Sequence, residues 1–161
     1  MITVAEARAR ILRDAAPGPV ETMSLLRARG KVLAEPLTAP LSLPPFDNAA
    51  MDGYAVRAAD VAIATPERPV RLPLSSEVTP GLAHIPALTP GFTIRIMTGA
   101  PLPSGADAVV RLEDATEEGG EVGFFQPVPA GENIRRAGED LRAGDRLLEA
   151  GTLLTPPRIA L

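Results

Sequence analysis

The stretch FDNAAMDGYA at residues 46–55 sets Asp47, Asn48 and Asp52 among small apolar residues, directly behind Pro44-Pro45. Carboxylate and amide oxygens are hard ligands. A cation such as magnesium needs only one or two carboxylates when water and a phosphate complete its shell. Gly53 permits a tight bend that would present Asp52. A second stretch, IMTGAPLPSGAD at 96–107, runs into Thr98-Gly99, which places a hydroxyl and open backbone amides at a strand end. The third, ENIRRAGEDLRAGD at 132–145, sets Arg135 and Arg136 near Glu139 and Asp140 around Gly138. Arginine and free amides hold phosphate oxygens, so the three together suit a hard-cation and phosphate site. A plainer account also stands for each. Asp and Asn before Gly form turns, Thr-Gly shapes a strand end, and mixed charges make a solvated face whose ion pairs contribute about 0–1 kcal/mol each.

Composition narrows the alternatives. With no cysteine the 161-residue chain has neither disulfides nor thiolate metal sites, and one histidine, His84 in GLAHIPALTP, cannot supply both a triad and a metal cluster. A net charge of −4 gives no overall attraction to nucleic acid or to an acidic membrane face. No apolar run approaches the roughly 18 residues of a membrane span, and the N-terminus lacks a cleavable apolar core, so a cytoplasmic protein is expected. Eighteen prolines and 14 glycines beside 45% hydrophobic residues point to short strands joined by shaped turns. P-loop, G-x-G-x-x-G and nucleophile-elbow patterns are absent, against a self-contained nucleotide enzyme.

The elements that must position these stretches are legible in outline. TVAE at 3–6 is a capping box opening a helix over 4–15, with Val4, Ala7, Ile11 and Leu12 on one face. Ser24 is expected to cap a shorter helix ended by Gly30, and an edge strand with an extended crossing segment follows. Short strands are expected within 70–78, 92–97, 107–113 and 121–128, with EEGG at 117–120 as a hairpin tip. In FTIRIM, Phe92, Ile94 and Ile96 share one face, and one buried face is expected. Residues 46–139 read as a mostly β insert between an N-terminal piece and a C-terminal return. The chain closes on TPPRIAL, a helix start with Thr155 as cap, yet an isolated helix needs roughly 12 residues. The 161 residues are therefore expected to be part of a longer gene product.

In order, PPFDNAAMDGYAVRAAD (44–60), RIMTGAPLPSGADAVVRLED (95–114) and ENIRRAGEDLRAGDRLLEAGTLLTP (132–156) resemble the N-terminal part of the molybdopterin molybdenumtransferase family, the MoeA proteins and the related E domain of gephyrin. The resemblance covers nearly the whole chain but only the first part of a family member. It implies an α+β fold: an elongated α/β dimerisation domain from residues 1–45 plus 140–161, holding an inserted, bent, mostly β domain at 46–139. It also implies insertion of molybdate into adenylylated molybdopterin with release of AMP, dependence on Mg2+, and a homodimer binding neither nucleic acid nor membrane. A fragment alone is expected to be inactive, and a non-catalytic scaffold of the gephyrin type is the alternative. By the same resemblance Asp52, Thr98 and Asp140 are catalytic, with Asp52 and Asp140 on the metal. Asn48, Gly53, Gly99, Arg136 and Glu139 support the substrate-binding loops. Ala49 stands where the family often has serine.

Overall fold

The structure, a computed structural model, describes residues 2–16 and 18–161. In chain order its elements are α1 (Val4–Arg13), β1 (Leu37–Thr38), β2 (Asn48–Ala49), β3 (Gly53–Val56), α2 (Ala58–Val61), β4 (Val70–Val78) and β5 (Thr93–Ile96). Then come β6 (Ala108–Arg111), β7 (Ala115–Glu118), β8 (Glu121–Phe124), β9 (Ile134–Arg135), β10 (Arg146–Leu148) and α3 (Pro156–Ile159). The mixed composition of helix and strand matches the expected α+β class. Two compact units form, Met1–Thr38 with Arg146–Leu161, and Ala39–Asp145. The boundaries differ from those expected at 45/46 and 139/140. Residues 39–45 and 138–145 hydrogen-bond to one another, through the Leu43 amide to Leu141 O at 2.7 Å, the Asp140 amide to Leu43 O at 3.0 Å and the Gly138 amide to Pro44 O at 2.9 Å. Those bonds make the two segments a single stem of the larger unit.

In the smaller unit the capping box forms as spaced. Glu6 N donates to Thr3 Oγ1 at 3.2 Å and Thr3 N to Glu6 Oε2 at 2.7 Å, satisfying two amides that α1 would otherwise leave open. The apolar stripe of α1 is not covered: Val4 is 88% and Ile11 73% exposed. Leu25–Arg27 is one 3-10 turn rather than a helix, and Ser24 makes no side-chain cap bond. With so few residues between Ser24 and Gly30, an α-helix has no room to propagate. β1 pairs antiparallel with β10, and Val32 bridges Leu153.

The larger unit is built on a six-stranded sheet of order β6-β3-β5-β4-β8-β7, antiparallel except where β4 runs parallel to β5. β4 occupies the predicted 70–78, and β7 and β8 meet at Gly119-Gly120. Side chains alternate along each strand. Tyr54, Val56, Leu72, Ala108, Val110, Val122 and Phe124 therefore enter one buried cluster. Ala55, Val78, Ile94, Ile96 and Val109 enter another, joined by Ala49 and Ala100 from the site loops. Fully burying each such Val, Ile or Phe contributes about 1.5–3 kcal/mol. The Ile94–Ile96 face of β5 is buried as expected, while on the other face Thr93 is buried and Arg95 is part-exposed. Thr93 is buried opposite Ile94, its hydroxyl donating to Ala55 O at 2.9 Å, while Phe92 before the strand stays exposed.

Candidate functional site

Strand β2 gathers the three stretches. Asn48 pairs with Arg135 and Ala49 with Ile134 of β9, while Asn48 also bridges Pro101. Ala49 N donates to Ala100 O at 3.1 Å and receives Gly99 N on its carbonyl at 2.8 Å. FDNAAMDG thus runs between the MTGAP and RRAGED segments, and all three belong to the larger unit.

Asp52 leaves this strand just before β3, and its Oδ1 accepts both the Thr98 hydroxyl at 2.5 Å and the Thr98 amide at 2.7 Å. The Thr98 hydroxyl first, then its amide, with the Arg95 charge adding, hold the Asp52 carboxyl below the usual carboxylate range. Hydrogen bonds that favour the charged form thus keep Asp52 an anion, and Oδ2 has no protein partner among the described residues. Thr98 is thereby an orienting group whose proton is committed to the carboxylate.

Asp140 belongs to a separate group. The Arg135 guanidinium donates through Nη2 to Asp140 Oδ2 and through Nε to Glu139 Oε1, the latter at 2.8 Å. Glu139 Oε2 also accepts the Arg136 amide at 2.8 Å; Arg135 first and that amide second lower the Glu139 carboxyl. Arg136 itself reaches back, its Nη1 donating to Asp47 Oδ2 at 2.7 Å. Among the described residues no side-chain hydrogen bond or ion pair joins the Asp52–Thr98 pair to the Arg135–Glu139–Asp140 group. Nor is any group of three or more His, Cys, Asp or Glu side chains among them placed to hold a metal ion.

The remaining predicted residues shape the loops. Asn48 is buried and donates through Nδ2 to Phe46 O. Gly53 does not make a bend. It lies within β3, where an added Cβ would stand 2.0 Å from Val110 O of β6, so the close approach of two backbones demands glycine. Gly99 has φ +79° with open space around it, and there the left-handed turn itself is the requirement. The open amides expected at Thr98-Gly99 are absent: Thr98 N goes to Asp52, Gly99 N to Ala49 O and Ala100 N to Met97 O. The fold supplies each of these amides with an acceptor, although Thr98 and Gly99 are exposed. These three amides are therefore not free for a phosphate.

Two features escape the sequence. Asp47 is the partner of Arg136 and, through Oδ1, of the Ala137 amide at 2.8 Å. On the sheet, Tyr54 Oη donates to Glu117 Oε2 at 2.8 Å, and Arg95 Nη1 lies 3.5 Å from the same oxygen. Both depend on partners far along the chain; only the presence of Asp47 inside the motif hinted at the first. A cavity of about 510 Å3, lined by Met51, Arg111, Asp114, Gln126 and Glu132 among others, includes none of the predicted site residues.

Known proteins place this arrangement. Residues 2–161 match the family model described as the MoeA N-terminal region (domain I and II). A molybdopterin molybdenumtransferase of Synechococcus elongatus is 45% identical over 146 residues, covering 90% of this chain and 36% of the relative. Molybdopterin molybdenumtransferase 2 of Mycobacterium tuberculosis is 48% identical over 141 residues, covering 87% and 35%. Among solved structures, a molybdopterin biosynthesis MoeA protein of Pyrococcus horikoshii superposes with a TM-score of 0.85 at 32% identity, over 99% of this chain and 41% of that one. The chain spans little more than a third of the length of the curated relatives it matches. With the family model covering all but its first residue, the chain belongs to the MoeA family, in its N-terminal region.

Proposed function

We propose that this chain forms the N-terminal region of an enzyme of molybdenum cofactor biosynthesis, which inserts molybdate into the dithiolene of adenylylated molybdopterin and releases AMP. The observation that carries this is the Asp52–Thr98 lock, a half-exposed carboxylate kept anionic by two bonds to one oxygen, on a stretch whose strand β2 pairs with the start of the loop carrying Arg135, Arg136 and Asp140. The names of the relatives support a molybdenum transfer to molybdopterin; both have substantial further length, and activity is proposed for a protein that contains it.

The chemistry of the donors suits magnesium. Asp52 and Asp140 offer hard oxygens, and among the described residues one oxygen of each has no protein partner, which suits an ion completed by water and substrate phosphate. Asp52 and Asp140 would hold it, and it would supply positive charge to phosphate oxygens as AMP departs. Thr98 orients Asp52. Arg135 balances Asp140 and Glu139, and Arg136 has guanidinium nitrogens beyond the one given to Asp47 for a phosphate. A homodimer is part of the proposal, supported by the uncovered Val4 and Ile11 of α1. So is a cytoplasmic location, consistent with the lack of any helix among the described residues long and apolar enough to cross a membrane.

The test supplies adenylylated molybdopterin, molybdate and Mg2+ to the full-length protein and follows AMP by chromatography. Asp52→Ala and Asp140→Ala should each lower release by on the order of 100-fold, as for loss of one preorganised charged group. Parent-level turnover in both variants would refute the site, and no AMP from the parent would refute the reaction.

A further inference from the structure

We propose that Asp47 is a positioning residue that binds the three site stretches into one rigid unit and thereby sets where Asp140 stands relative to Asp52. Its carboxylate spans the start of the 135–140 loop: Oδ1 accepts the Ala137 amide at 2.8 Å and Oδ2 accepts Arg136 Nη1 at 2.7 Å. Its carbonyl accepts the Leu102 amide at 2.9 Å, four residues beyond Thr98. Every bond falls on a different stretch from its own.

The consequences run outward from both ends. Beside Arg136, Arg135 grips Glu139 and Asp140, and the Glu139 carboxylate returns to the Arg136 amide. The 135–140 loop is thus closed on itself and anchored at its base by Asp47, with the Gly138 amide to Pro44 O as a second tie. On the other side, the Leu102 bond fastens the segment whose Thr98 holds Asp52. Backbone bonds to Pro44 and Leu43 also seat the loop, the Leu43 carbonyl taking the Asp140 amide at 3.0 Å, but among the described residues Asp47 supplies the only side-chain bonds between the FDN stretch and 135–140. Both Asp47 carboxylate oxygens are occupied by protein donors, so its part is to position rather than to meet substrate. A misplacement of about 1 Å between reacting groups costs on the order of 100-fold in rate.

The activity arm of the test rests on the proposed function, and the exchange arm does not. In the full-length protein, Asp47→Ala removes both side-chain bonds, Asp47→Asn keeps an acceptor for the Ala137 amide but loses the charge, and Arg136→Ala loses only the ion pair. Amide hydrogen exchange at residues 135–140 should accelerate by on the order of tenfold or more in Asp47→Ala, where both side-chain bonds are lost, with β3 and β5 unchanged. The kcat for AMP release should fall on the order of 100-fold in Asp47→Ala with KM little altered, and less in Asp47→Asn. Unchanged exchange at 135–140 overturns the proposal. So does equal loosening of β3 and β5, which marks general destabilisation, and so does parent-level kcat with a loosened loop. If the parent releases no AMP, the functional proposal falls, and the exchange arm alone decides whether Asp47 anchors the loop.

Discussion

Tyr54 offers a direct probe of how the sheet is assembled, because it is the single tyrosine and the chain has no tryptophan. It is 3% exposed, packed edge-on against Phe124 with ring centroids 6.2 Å apart, and its hydroxyl donates to Glu117. Burial first, then the hydrogen bond to Glu117 and that residue's charge, push its ionisation up to about 12, with Arg95 opposing. The folded state therefore keeps a proton that the unfolded chain releases near 10.0, so the contribution is complete below pH 10 and is lost as pH rises toward 12. At ~1.36 kcal/mol per pH unit, that window costs about 3 kcal/mol of stability, a sizeable share of the 5–15 kcal/mol typical of a domain. Tyrosinate absorbance after a rapid pH jump, read before the chain unfolds, gives the midpoint directly. Glu117→Gln should lower it without bringing it to 10.0, since burial is the larger cause, and Arg95→Met should raise it. A midpoint near 10 in folded parent protein, or no response to Glu117→Gln, would refute the packing of β7 against Tyr54.

Three further outcomes follow from the geometry. Gly53→Ala should destabilise the larger unit by at least ~1–3 kcal/mol in denaturant titration, since the new methyl meets backbone that cannot rotate away; parent stability would mean that β3 and β6 are not so close. Thr3→Ala should lower helix content by circular dichroism and cost about 1 kcal/mol locally, with exchange in β3 to β6 untouched. Asp47 is held below 3.8 by the Ala137 amide and then Arg136, so its contribution is present above that value and disappears as pH falls through the folded one. Asp47→Asn should flatten acid denaturation below about pH 4, but only by ~1 kcal/mol or less, because the side chain is 38% exposed and screened. An unchanged acid limb would count against the bonds of Asp47 to Ala137 and Arg136.

The sequence by itself determined whatever acts over a few residues: the Thr3–Glu6 box, the bounds of β4, the Gly119-Gly120 turn, and the three ordered stretches that place the chain in its family. Spacing, dihedral preference and turn chemistry suffice there, because each partner lies within a few positions. Tertiary structure alone decided the rest. Asp52 meets Thr98 across 46 residues, and Asp47 meets Arg136 across 89, because the register of β2 against β9 and Pro101 brings them together. Tertiary pairing also took up the amides expected to be open at Thr98-Gly99, and the approach of β6 to β3 turned Gly53 from an expected bend into a point of contact with Val110. Long-range pairing is set by the joint burial of two apolar clusters and by the need of every interior amide for an acceptor, and no local pattern carries that information.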